Sequence, residues 1–399
     1  MWTAASRSEG RICSPAQPVR TGSRAARFRL TEDLSMKIIN HTGAAAGYMA
    51  AADKSGRQHL LVVVKATYRL PLGGEAAQLL DAQIAPTQAD TATGEPGMSA
   101  PEYECDYVLT KPRCEVLLLG SAYAPQGKAA QRVGVGIRVG EVSKAFHVYG
   151  KRAWRASLLG VSVGPAQPFT RQPISYDIAF GGIENNPGKG DKRAVYPANP
   201  IGRGFQKKMQ RSLVDGAPMA QTEAVGVPVK HPRKAYRPMG FGPIGRNWTE
   251  RLQYAGTYDA AWQKNVFPFL PRDFDERYFQ SAPPDQQLDA LVGGETVTLL
   301  NLTHPAITPS GRLDFTLPSL ALSITIHPAG GSPETVPARA DTVLLEPDLQ
   351  RFSIVWRVAR PLRRSLDEIR QVEIGAPELP DQVFDPTECC RAPAAQIRL

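Results

Sequence analysis

Gly160-Val161-Ser162-Val163-Gly164 fits the G-x-S-x-G pattern. In a serine hydrolase that pattern places a hydroxyl on a sharp strand-to-helix turn beside backbone donors. Here it runs into Pro165-Ala166-Gln167-Pro168, which starts no helix, and it sits among residues of period two. The motif reads as a glycine-flanked strand end, and Ser162 is assigned no chemistry. Four carboxylates, Asp259, Asp273, Asp275 and Asp285, lie among Trp248, Tyr258, Trp262 and Tyr278. That mixture could bind sugar, and it supplies the alternative function, a carbohydrate-active hydrolase. Hydrolysis would need two of the carboxylates at a fixed separation with one pKa raised. Asp273-Phe274-Asp275-Glu276-Arg277 reads instead as a helix cap with local Arg pairing. The Gly-x-Gly runs at 134, 188, 202 and 240 continue into neither a phosphate loop nor a dinucleotide fingerprint. Six histidines stand singly and five cysteines form no C-x-x-C pair, so neither a metal site nor a cofactor is expected.

Positive charge is the stronger signal. The formal net charge is +9, and residues 203–237 hold eight Lys and Arg against Asp215 and Glu223, a local excess of +6. Such clustering suits electrostatic docking of an acidic partner, set against a merely solvated loop. Nucleic acid is not expected, because no recognition helix, zinc finger or aromatic-basic sheet accompanies the charge. The expected partner surface is residues 199–262, with Arg203, Lys207, Lys208, Arg211, Arg246, Trp248, Arg251 and Tyr258 in contact. Charge would govern encounter there and Trp248 would anchor affinity. The competing role for Trp248 is a core ring. Trp262, Phe267, Phe269 and Phe274 are expected to be mostly buried.

Strands must carry these residues. Leu60 to Val64 followed by Ala66, Tyr68 and Leu70 is a strand leaving a buried sheet, and Val133 to Val139 with Phe146 and Val148 predicts a hairpin turning on Gly140-Glu141. Residues 181–289 lose the period, multiply turn formers and keep many large aromatics, so ordered loops packed on a β scaffold are expected. The period of two returns at 320–327 and 352–359, read as half-buried antiparallel strands. After Pro361, Leu362, Leu366 and Ile369 with the pairs Arg363-Asp367 and Arg364-Glu368 predict a C-terminal helix.

The organisation expected is thus a 36–180 β region, a 181–289 aromatic and basic insert, a 290–375 β region ending in a helix, and a 376–399 tail. Residues 1–35 carry arginines without an apolar run, and read as a disordered extension ahead of a true start at Met36. The fold class is mainly β, with antiparallel sheets packed as sandwich-like lobes and few short helices. At 42% hydrophobic and 21% charged over 399 residues the chain can bury a real core. No window approaches a membrane helix, and the cysteine usage suits a reducing cytoplasm.

Specific strings go further. Tyr176-Asp177-Ile178-Ala179-Phe180-Gly181-Gly182, Asn199-Pro200-Ile201-Gly202-Arg203-Gly204-Phe205, Gly240-Phe241-Gly242-Pro243-Ile244 and Arg246-Asn247-Trp248 resemble one bacterial family. So do Ala255-Gly256-Thr257-Tyr258-Asp259, Leu270-Pro271-Arg272-Asp273-Phe274-Asp275, Ser281-Ala282-Pro283-Pro284-Asp285-Gln286 and Asp341-Thr342-Val343-Leu344-Leu345-Glu346-Pro347. It is the domain-of-unknown-function family of type VI secretion accessory proteins, and the resemblance runs from Met36 to about Arg357. It implies an adaptor or chaperone that loads a toxic effector onto the secretion spike, with effector and spike-tip proteins as partners and no catalysis.

Overall fold

The computed structural model describes residues 36–184 and 193–375. The assignments made for 1–35, for the Asn185-Asn186-Pro187-Gly188 turn and for 376–399 lie outside the described residues.

The fold is mainly β. Its centre is a mixed sheet built from both ends of the chain. In order, it joins Gln287–Leu288, Cys114–Leu118, Arg339–Glu346, Arg351–Pro361, Gln58–Arg69 and Ala45–Ala52, with Gln78–Leu79 added to Gln58–Arg69. All pairs are antiparallel except Arg339–Glu346 with Cys114–Leu118. A second sheet joins Thr222–Ala224, Val142–Tyr149, Arg132–Val139, Thr296–Leu300 and Arg312–Thr316. A third joins Lys37–Asn40, Ile369–Gly375, Ser323–Pro328 and Glu334–Pro337. The 36–180 and 290–375 regions are therefore interleaved in shared sheets. The hairpin expected around Gly140-Glu141 is present, with Gly140 at φ +54 where a side chain would be strained.

One face of the central sheet supplies the main core. Leu60, Val62, Val64, Phe352, Ile354, Trp356, Val116 and Leu118 meet Val135, Ile137, Phe146, Val297 and Leu299 of the second sheet and Ile324, Ile326, Val372 and Ile374 of the third. Each fully buried aliphatic or aromatic side chain there contributes about 1.5–3 kcal/mol.

The opposite face is also buried, which corrects the half-buried expectation for 352–359. The covered residues on that face mix apolar side chains, Leu61, Val63, Val355, Leu117 and Leu344, with buried polar ones. Lys65 Nζ reaches Asp106 at 3.0 Å, Lys111 Nζ reaches Glu115 at 2.6 Å, and Arg357 pairs with Asp341 while donating to the Asp106 carbonyl at 2.6 Å. Burial pushes Glu115 up, yet Lys111 and the Ala282 N–H outweigh it and hold the carboxyl below its ordinary value. The strap running through Thr87 and Glu102–Lys111 lies over this layer and supplies partners to it: Asp106 also accepts from the Thr87 N–H at 2.7 Å.

Among the described residues no α-helix forms after Pro361. Pro361 ends the strand Arg351–Pro361, Leu366–Glu368 makes one 3₁₀ turn, and Ile369–Gly375 is a strand. Glu368 accepts from the Arg363 and Arg364 N–H groups rather than forming a helical charge pair. Ile369, Val372 and Ile374 bury in the main core, and sheet pairing outweighs three residues at helical spacing.

Candidate functional site

The insert has its own small core. Trp154 and Ala156 pack with Phe180, Val214, Met219, Ala220, Val229 and Tyr236, and the Trp154 indole N–H donates to the Gly204 carbonyl at 2.9 Å. The hairpin Trp154–Ser157 with Gly160–Val163 lies on this lobe, and its second strand is the G-x-S-x-G segment. Ser162 is exposed on a strand, with no helix after it. Leu158 and Leu159, at the turn, are 98% and 100% exposed.

Beside the hairpin lies a cleft of about 650 Å³, lined among others by Lys151, Arg152, Arg155, Gly164, Arg203 and Asp215. Arg152 is neutralised, since it pairs with Glu223 at 2.6 Å with both side chains buried. The other cations are not. Arg203 donates to the Asp177 carbonyl at 2.8 Å and to Gln221 Oε1 at 3.2 Å, and among the described residues no carboxylate lies within ion-pair distance of it. Burial pushes its guanidinium below its ordinary pKa, against the weaker opposing pull of the Asp177 carboxylate. Lys151 and Arg155 are exposed and form no ion pair among the described residues. Asp215 is the cleft's acid, and its Oδ1 accepts from the Ala156 N–H at 2.9 Å. This is a cation-rich concavity suited to carboxylates.

The expected partner residues separate into three groups. Arg203 lines the cleft, and Lys207, Lys208 and Arg211 are exposed on the same lobe, with the Lys207 carbonyl held by Arg233 Nε at 2.8 Å. Tyr258 is exposed and packs edge-on to Trp262, with ring centroids 4.7 Å apart. Trp248, Arg246 and Arg251 are structural, which corrects their placement on a contact surface. Trp248 is 3% exposed and packs edge-on to Tyr176 beside Ile244 and Ala100. Arg251 is 1% exposed and grips Glu104, the Ile244 carbonyl and the Tyr278 carbonyl. Arg246 pairs with Asp90 at 2.6 Å and Glu104 at 3.1 Å. These residues fasten the insert to the Asp90–Glu104 stretch, because a buried guanidinium needs a carboxylate and carbonyls around it.

The aromatic expectation also shifts. Phe274 is buried, but Phe267 and Phe269 are exposed, and Trp262 is half-buried, spending its indole N–H on the Phe269 carbonyl at 2.9 Å. The four carboxylates are each engaged locally. Asp259 caps the helix Ala260–Asn265 through the Trp262 N–H, Asp273 accepts from Thr257, Asp275 grips Arg277, and Asp285 pairs with Arg237 and Lys144. The Thr257 hydroxyl and N–H hold Asp273 below its ordinary pKa, and Arg277 does the same for Asp275, whereas a general acid needs the opposite shift. Among the described residues no group of three His, Cys, Asp or Glu could hold a metal ion.

Residues 151–165 were not singled out as a contact surface from sequence. Two leucines between period-two segments, where a turn favours Asn, Asp or Gly, are the signal that could have found them.

A family model described as an uncharacterized protein conserved in bacteria (DUF2169) matches residues 55–357. No curated protein and no solved structure matches the chain.

Proposed function

The chain belongs to this bacterial family, DUF2169, and on that premise we propose that it is a non-enzymatic adaptor that binds a toxic effector and helps load it onto the type VI secretion spike. The observation that carries the reading is the cleft of Lys151, Arg155 and Arg203, whose charges lack ion-pair partners among the described residues, next to a hairpin tip that shows two leucines to water. Clustered like charges repel one another and exposed leucine adds nothing to the fold, so both fit a surface kept for a partner. The strings that resemble type VI secretion accessory proteins support the finer assignment, and the family's bacterial distribution agrees with it. Such an adaptor would work in the cytoplasm, before export.

The local engagement of Asp259, Asp273, Asp275 and Asp285 supports a non-catalytic role over a glycan hydrolase. Co-expression with the toxin or spike-tip protein encoded beside the gene should yield a complex that survives gel filtration. The purified chain should not turn over peptidoglycan. Robust hydrolysis lost in Asp273→Asn, with no complex formed, would overturn the reading.

A further inference from the structure

On the adaptor reading the cleft faces the partner, and the geometry points to what it receives: an extended acidic segment of the partner polypeptide, added as a third strand to the open edge of Gly160–Val163, with an apolar residue against Leu158 and Leu159.

The edge follows from the register. Gly160, Val161, Ser162 and Val163 pair with Ser157, Ala156, Arg155 and Trp154. The far side of the inner strand is closed, because the Trp154 N–H donates to the Ala217 carbonyl and the Gly216 N–H to the Trp154 carbonyl, both at 2.9 Å. The outer strand has no such neighbour. The Gly164 N–H donates to the Ala153 carbonyl at 2.9 Å, which fixes the phase of the ladder. Hydrogen-bonded pairs then fall at Ser162/Arg155 and Gly160/Ser157, so the N–H and C=O groups of Val161 and Val163 point away from the hairpin. Among the described residues none of these groups has a backbone partner.

Proteins normally blunt such an edge with charge, proline, a bulge or a covering loop. Gly-Val-Ser-Val carries neither a charge nor a proline, and its four residues offer about 13 Å of template. The tip does nothing for the fold, since both leucines lie wholly in water. The strand runs directly into Gly164 and Pro165, which line the cleft with Lys151, Arg155 and Arg203. An added strand that continues past Val163 enters a cation-rich concavity, so its following residues must be acidic.

The test uses the full chain and a fluorescein-labelled decapeptide, Leu-Val followed by alternating Glu and Val, read by anisotropy at low and high salt. The same peptide N-methylated at alternate backbone positions cannot pair with an edge. Expected are binding of the acidic peptide, a loss of at least tenfold on N-methylation, no binding of a Val/Lys counterpart, and a severalfold loss in Leu158→Ser/Leu159→Ser. Val161→Pro, which removes an outward N–H, should also cost tenfold or more. If that variant unfolds, the N-methylated peptide against the wild-type chain still decides. Equal binding of the N-methylated peptide, no binding of the acidic one, or preference for a single-stranded oligonucleotide overturns the proposal. An effector complex that forms equally well with Val161→Pro would remove strand addition and leave the adaptor reading standing. Absence of any effector complex would remove the adaptor reading itself.

Discussion

Replacing Arg251 separates a structural clamp from a docking residue. All five guanidinium N–H donors are used: Nε to the Tyr278 carbonyl at 3.1 Å, Nη1 to Glu104 and to the Ile244 carbonyl at 2.8 Å, and Nη2 to Glu104 at 3.2 Å and Tyr278 at 2.9 Å. Arg251→Met keeps the aliphatic stem but leaves Glu104, whose side chain is 9% exposed, with Arg246 as its remaining cation, and removes the donors from two carbonyls. Removing one partner of a buried ion pair costs about 3–5 kcal/mol. Unmet carbonyls cost about 1–3 kcal/mol each, and these losses overlap rather than add. A net loss of about 4 kcal/mol lowers the melting temperature of a chain this long by about 5 °C. Urea unfolding at pH 7 measures it. Glu104→Gln added to Arg251→Met should recover part of the loss, because the carboxylate that has lost its closer cation is gone. A surface contact residue would behave oppositely, with stability within about 0.5 kcal/mol of wild type and binding reduced. An unchanged unfolding midpoint for Arg251→Met would refute the clamp.

Lys144 offers a pH test. Its Nζ is buried against Gln286 at 2.7 Å and Asp285 at 3.3 Å, and burial pushes its pKa from 10.5 down to about 8, against the pull of Asp285. Between those values the unfolded chain binds the extra proton, so stability rises as pH rises through 8 to 10.5, by up to about 3 kcal/mol. The rise should be absent in Lys144→Met, which urea titrations across that window would show. Asp259→Ala removes the cap of Ala260–Asn265 and should cost about 1 kcal/mol by thermal unfolding. Trp248→Ala should cost about 3–5 kcal/mol in the same assay, since the ring is buried against Tyr176.

Period two carried most of the scaffold. The hairpin over 132–149 and the strands at 58–69, 323–328 and 351–361 fall where alternation places them. What alternation could not show is the second buried face of the central sheet. The strap that covers it has no period, so Arg357, Lys65 and Glu115 looked like outward residues when they pair inward. Ser353 and Thr67, hydrogen-bonded across that face at 3.1 Å, carry the same polar signature on otherwise apolar strands. The predicted helix after Pro361 failed because Leu362, Leu366 and Ile369 satisfy helical spacing while Ile369, Val372 and Ile374 satisfy a strand, and the neighbouring strands Lys37–Asn40 and Ser323–Pro328 decide between them. At the site, composition found the charged lobe but not its geometry. Arg203, Lys207, Lys208 and Arg211 lie on its surface, whereas Arg246 and Arg251 are drawn to acidic partners 140 or more positions away in sequence and Trp248 is buried against Tyr176, pairings no local pattern encodes.

The central claim is that the basic face of the insert lobe recruits an acidic effector, and association kinetics test it most directly. Lys207, Lys208 and Arg211 are exposed, so changing all three to Glu should leave thermal unfolding within about 0.5 kcal/mol of wild type. Stopped-flow mixing with the effector encoded beside the gene, at 20 mM and 300 mM salt, should show association slowed by about tenfold or more at low salt and much less at high salt. A folded triple variant that associates at the wild-type rate at both salt concentrations would contradict the claim.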